Sequence, residues 1–226
     1  MNKATIIKYL KQHKQLMNII AFIYSLVHGS NVWRYVFNKN VTYRGAFLKR
    51  TKVYVDKNSK AYIGEKCQMN GCLINAQGGE VRISGSQTCI NNTKLIIREP
   101  KGKIIIGEDF SMQGGIIQCV DGTSIQIGKH CMFSGDIDIT SGDLHPIYNV
   151  QTKEIINHSE DITISDRVWI GAHVRVMKGV YITSNVIVGN SSLVSRTLEQ
   201  PYCVYAGIPA KKIKEGVDWA RSDEVK

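Results

Sequence analysis

Histidines are the residues of this 226-residue chain most suited to proton chemistry, and there are six: His13, His28, His130, His145, His158 and His173. Imidazole changes charge near neutral pH, so it can take a proton from a hydroxyl and later return it. His145 stands apart from the rest. It lies in Thr140 to Asp161, the longest break in the repeat described below, and it precedes Pro146, which restricts it to extended conformations. Asp143 comes two residues earlier. On an extended chain the two side chains point the same way, so a carboxylate there could fix the tautomer of the imidazole and stabilise its cation. The residues alone leave alternatives open. His145 reads equally as a general base or a solvated loop histidine, and Asp143 as an orienting carboxylate or a turn former after Gly142. A backbone carbonyl could orient His145 as well.

Something must hold that loop, and the sequence shows what. Ile164, Ile170, Val176, Ile182, Val188 and Val194 recur every six positions. Val168, Val174, Val180 and Val186 form a second register offset by four, which Ser192 continues. Neither a helix nor a half-buried strand has this period. A backbone that turns the same corner every six residues does, and three such units close a triangular coil of eighteen. One coil cannot bury its apolar face alone, but a stack can. Upstream the register returns with interruptions: Ile127, Phe133 and Ile139 with Cys131 and Ile137, then Ile106 and Met112 with Phe110 and Ile116. Gly follows the aliphatic residue at Gly64, Gly107, Gly128, Gly171 and Gly189, where its tolerance of unusual backbone angles suits a corner. Six consecutive hits in one register are hard to obtain from a β-sandwich.

The ends differ. Residues 1–45 read as an N-terminal helical segment, with basic amphipathic character over Ile6, Ile7, Leu10, Lys11 and Lys14 and a nearly apolar run from Leu16 to Val27. That run is too short to span a bilayer, which needs about 20 residues. It could cap the solenoid, lie in a membrane interface, or both. Residues 46–214 carry the repeat, with loops at Gln77–Gly79, Arg98–Gly102, Asp121–Gly122 and 140–161. Pro201 ends the repeat, and residues 215–226 form a polar, part-helical tail. The net charge of +10 suits an anionic partner such as a phosphorylated cofactor, an anionic glycolipid or a membrane surface. No nucleic-acid motif or dense Lys/Arg block is present. Six cysteines lack C-x-x-C spacing and follow no signal peptide, so they read as small buried apolar residues of a reducing compartment rather than a zinc site.

The repeats resemble the hexapeptide-repeat acyltransferases over about residues 53–214. Three features carry the resemblance. Gly142-Asp143-Leu144-His145-Pro146 is similar to the loop bearing that family's catalytic histidine, Trp169-Ile170-Gly171-Ala172-His173-Val174 to the coil after it, and Ala206-Gly207-Ile208-Pro209-Ala210-Lys211 to the closing motif beside the coenzyme. The corners Met177, Thr183 and Asn190 are less regular than a consensus repeat. The resemblance implies an all-β, left-handed parallel β-helix and an acetyl-CoA-dependent enzyme most like the sugar O-acetyltransferases that act on capsule, lipopolysaccharide and small saccharides. It implies His145 as general base with Asp143, and coenzyme contacts at Trp169, Ala172, Asn190, Ser195, Arg196, Lys211 and Lys214, with Lys212 less so. It further implies a homotrimer with clefts between adjacent β-helices, a saccharide or glycolipid acceptor, no metal, and a cytoplasmic protein that could meet the inner face of the membrane.

Other readings share the fold. An N-acyltransferase would use an amino sugar as acceptor. The zinc-dependent β-helix carbonic anhydrases need three converging histidines, for which His130, His145 and His173 are candidates. A non-catalytic scaffold would bind a partner through the loop. The small N-terminal segment argues against a serine acetyltransferase.

Overall fold

The computed structural model describes residues 14–35, 38–43 and 45–222. The basic stretch Ile6–Lys11 lies outside them. Within them the chain winds as a triangular coil whose sides build three sheets of seven, nine and seven strands, each strand pairing with the one a full turn later. Between the strands of these sheets all pairings are parallel except the last, where Lys211–Glu215 folds back on Cys203–Ala206. Apolar side chains of successive coils therefore stack in columns: Met112 meets Phe133, Phe133 meets Ile170, and Ile170 meets Val188. Every residue of the two downstream registers is buried, Ser192 included, and its hydroxyl donates to the Gly189 carbonyl at 2.7 Å. The aliphatic column supplies the burial that no single coil could.

The eighteen-residue coil holds downstream, where Ile164 pairs with Ile182 and Val176 with Val194. Upstream the coils are longer, as the partners Ile106 and Ile127 or Ile117 and Ile139 show. The extra residues collect at one corner, between the third and first sheets, where 77–79, 98–102, 121–122 and the long loop all sit. The corner between the second and third sheets is instead one residue tighter upstream, because Met112 to Gly115 there matches Phe133 to Ile137. This shifts one expected core position. Gly115 takes the inward place beside Ile137, Ile117 is fully buried, and Ile116 turns outward.

The corner glycines also serve a different purpose from the one expected. Gly64, Gly107, Gly128, Gly171 and Gly189 do not have positive φ; left-handed angles fall two residues later, on Lys66, Asp109, His130, His173 and Ser191. What these glycines provide is room. A Cβ on Gly107 would sit 2.6 Å from the Gly128 carbonyl carbon, and one on Gly64 would strike the Gly85 backbone.

The N-terminal helix (Lys14–Val27) lies across the first coil. Ala21 and Ser25 are buried against it, Ser25 Oγ accepts the Leu48 N–H at 3.0 Å, and Tyr24 meets Phe47 edge-on at 5.6 Å. Asn31 then hydrogen-bonds both the N–H and C=O of Val53 at 2.8 Å, as a strand of a further coil would. The opposite stripe, Leu16, Ile19, Ile23, Leu26 and Val27, is exposed. Among the described residues no helix is long and apolar enough to cross a membrane.

At the other end the second sheet continues past Pro201 through Cys203–Ala206. The described part of the tail is not helical. It runs back over the corner of earlier coils: Arg167 forks to Asp218 at 2.9 and 3.1 Å, and Arg221 reaches Ser111 Oγ, Asp109 O and Cys131 O at 2.6–2.9 Å. Long-range hydrogen bonds, rather than local helix propensity, fix its path.

Candidate active site

The long loop leaves the third sheet after Thr140 and rejoins the first at Ile162. Its base is buried: Ser141 Oγ accepts the Val120 N–H at 3.0 Å and lies 2.6 Å from Thr123 Oγ1. Gly142 fits only as glycine, since a Cβ would collide with Ser159 and Val120. The outer part is a small antiparallel hairpin closed by Tyr148 and Ile155. Between its arms lies a cleft of about 500 Å³ lined by Asp121, Asp143, His145, Asn157, His158 and Ser159, among others. His145 is exposed there and available to a ligand.

Asp143 shares the cleft, but in a different relation to His145 from the one its spacing suggests. Leu144 between them has φ 66°, so the chain is not extended and the same-side argument fails. Its Oδ2 is taken by Lys178 Nζ at 2.6 Å and Asn157 Nδ2 at 2.9 Å. These contacts, the Lys178 one first, hold the carboxyl below the usual carboxylate range. Asn157 also donates to the His145 carbonyl at 2.9 Å. Asn157, His158 and Lys178 are the residues that sequence reasoning passed over. The first two fall inside the flagged loop, but without a repeat to rank them. Lys178 sits a coil away, with only its contact to reveal it.

The expected coenzyme residues divide between two corners and two strands of the second sheet. Ser195 and Arg196 are exposed at the loop's own corner, further along the axis. Ala172 and Asn190 occupy the corner between the second and third sheets, where the Ala172 N–H already bonds Asn190 Oδ1 at 3.0 Å. Lys211 and Lys214 project from the folded-back strand and are exposed, whereas Lys212 is tied to Gln200 and Glu215 at 2.7 and 2.8 Å. Trp169 lies on the second sheet beneath Trp219, ring centroids 6.2 Å apart, and its indole N–H is buried with no hydrogen-bond partner among the described residues.

Of the other histidines, His158 shares the cleft with His145, whereas His130 and His173 do not assemble with it. His130 and His173 sit at different corners and pair with Asp109 and Asp136 at 2.9 and 2.8 Å. Among the described residues no group of three His, Cys, Asp or Glu is placed to hold a metal ion. The cysteines are free and, except for half-buried Cys89, buried. Burial pushes the Cys72 thiol up to about 11 and the Cys131 thiol to about 12, so neither is a ready nucleophile.

No protein-family profile matches the chain. It is 32% identical over 167 residues to the polysialic acid O-acetyltransferase of Neisseria meningitidis, covering 74% of this chain and 78% of that one. It is 33% identical over 136 residues to the polysialic acid O-acetyltransferase of Escherichia coli O1:K1, covering 59% of this chain but only 44% of that longer protein. The solved structure of the polysialic acid O-acetyltransferase OatWY superposes with a TM-score of 0.76 at 30% identity, over 81% of this chain and 88% of that one. With the stacked parallel coils, these similarities establish that the chain belongs to the hexapeptide-repeat O-acetyltransferases, left-handed parallel β-helix enzymes.

Proposed function

We propose that this protein moves an acetyl group from acetyl-CoA to a hydroxyl of an acidic polysaccharide, with His145 as general base. The observation that carries the reading is the exposed imidazole of His145 in a polar cleft, on the one long loop of a solenoid belonging to this family. An alcohol is a poor nucleophile while protonated. The imidazole takes the hydroxyl proton as the oxygen attacks the thioester carbonyl carbon. The carbon–sulfur bond then breaks, and the imidazolium returns its proton to the departing thiolate. Products are the O-acetyl ester and free coenzyme A. The net charge of +10 favours an anionic acceptor, as the polysialic acid named for its relatives would be.

Coenzyme A carries phosphates at one end and a neutral arm at the other. Exposed Lys211, Lys214 and Arg196 suit the phosphates. Trp169, half-buried under Trp219, suits the arm through its ring rather than its covered N–H. Lys211→Ala is expected to weaken acetyl-CoA binding by about tenfold or more, as loss of a charge-assisted hydrogen bond would, with turnover at saturating coenzyme little changed. Calorimetry checks this, and unchanged affinity would remove Lys211 from the site.

The complete site also needs a second copy. The loop leaves the corner between the third and first sheets, which on a triangular coil lies opposite the second sheet that bears Trp169. One chain cannot bring both to one substrate. The loop also exposes Ile147, Tyr148, Val150 and Ile156, which a neighbouring solenoid would cover. A trimer joining the loop of one copy to the second sheet of the next accounts for both. The deciding experiment mixes protein sized by light scattering with acetyl-CoA and polysialic acid oligomers, and follows thiol release and acetyl esters by mass spectrometry. Full turnover by a monomer would defeat the shared cleft, and no transfer would defeat the proposed reaction.

A further inference from the structure

We infer that Lys178 is a positioning residue for the catalytic loop, holding His145 in place through Asp143 and Asn157. The inference rests on the reading of His145 as the base. Residues 143–148 are exposed, so burial does not fix them, and ordering such a segment costs backbone entropy. Polar contacts do the fixing. Lys178 Nζ donates to Asp143 Oδ2 at 2.6 Å and to the Asn157 carbonyl at 2.9 Å. Asn157 Nδ2 donates to the same carboxylate oxygen and to the His145 carbonyl, both at 2.9 Å, while its Oδ1 accepts the Ile147 N–H at 2.7 Å. The outgoing arm of the loop is thus tied to the returning arm, and both are tied to the next coil.

That coil is a firm anchor. Lys178 follows the strand Arg175–Val176, whose Val176 is in the core, and its side chain is only 18% exposed. An ammonium this sheltered is costly to leave unpaired, so opening the loop is penalised at both ends. The bond pattern also sets the position of the His145 backbone without touching the imidazole, which stays free for substrate.

The carboxylate end of the clamp stays ionised at neutral pH. Asp143 has a depressed pKa, with Lys178 the first cause. Its stabilising contribution is therefore complete above the unfolded carboxylate value and is lost only as pH falls through the lower, folded one.

Lys178→Met removes the ammonium and keeps most of the apolar stem. The expected result is a fall in kcat of about 10- to 100-fold, the scale on which small misplacements of reacting groups act. KM for acetyl-CoA should stay within about twofold, because the coenzyme's binding energy lies elsewhere. The pH midpoint of kcat should not move, amide exchange at residues 143–148 should quicken, and Lys178→Arg should return part of the rate. Combined with Asp143→Leu, the substitution should add little to either alone. Unchanged kcat with unchanged exchange would overturn the inference, and so would a shifted pH midpoint, which would mean that Lys178 acts on proton affinity. Should the wild type transfer no acetyl group to polysialic acid oligomers, the proposed reaction falls separately. Amide exchange would still decide the clamp: quickened in Lys178→Met it stands, unchanged it does not.

Discussion

His145→Ala is expected to lower kcat for acetyl transfer by about 10²- to 10⁴-fold, the range a general base contributes. Coenzyme affinity and assembly should persist. The side chain is exposed, so truncation leaves no cavity. The loop at this point is held by the bond from Asn157 to the His145 backbone carbonyl, which alanine retains. Exposed substitutions of this kind cost within about 0.5 kcal/mol of stability. A large loss of rate with unchanged melting and unchanged acetyl-CoA binding would therefore be chemical rather than structural. His158 lines the same cleft and provides the control. If His145→Ala kept near-normal turnover and His158→Ala did not, the base would have been assigned to the wrong arm of the loop.

The sequence made the solenoid legible because its inward residues repeat at a period that no other element shares. Ile164 through Val194 are all in the core for that reason. The loop was legible as the longest silence in that repeat. What could not be seen was anything set by contact between coils. Asp143 and His145 are two apart in sequence, but the left-handed turn at Leu144 separates their directions. Lys178 joins the loop only because one coil lies on the next. Trp219 and Arg221 belong to a polar tail with no pattern, and only the surface they cross gives them a path. The glycines were found for an incorrect reason: backbone freedom was expected, and the stacked corners in fact leave no space for a Cβ.

The misplaced register at Ile116 leads to the second large effect. Ile117→Ala should cost about 2–5 kcal/mol, as truncation of a buried isoleucine does, whereas Ile116→Ala should cost less than about 1 kcal/mol, because its side chain already lies outside the core. Both residues belong to the strand Gly115–Cys119, and both are aliphatic. A six-residue period read straight through Met112 places Ile116 inward at the offset position. The structure shortens the preceding corner by one residue, seats Gly115 against Ile137 and pairs Ile117 with Ile139. Gly115 has φ 132°, and a Cβ there would run into the Ile137 backbone, so no side chain could take the slot. Ile117 stacks between Leu95 and Ile139, both fully buried, and a cavity there would open across three coils. For a chain of this size, 2–5 kcal/mol corresponds to roughly 4–20 °C in melting temperature. Thermal unfolding of the two variants side by side reads the register directly. If Ile116→Ala proved the more damaging, the uninterrupted hexapeptide register would be right and the tightened corner wrong.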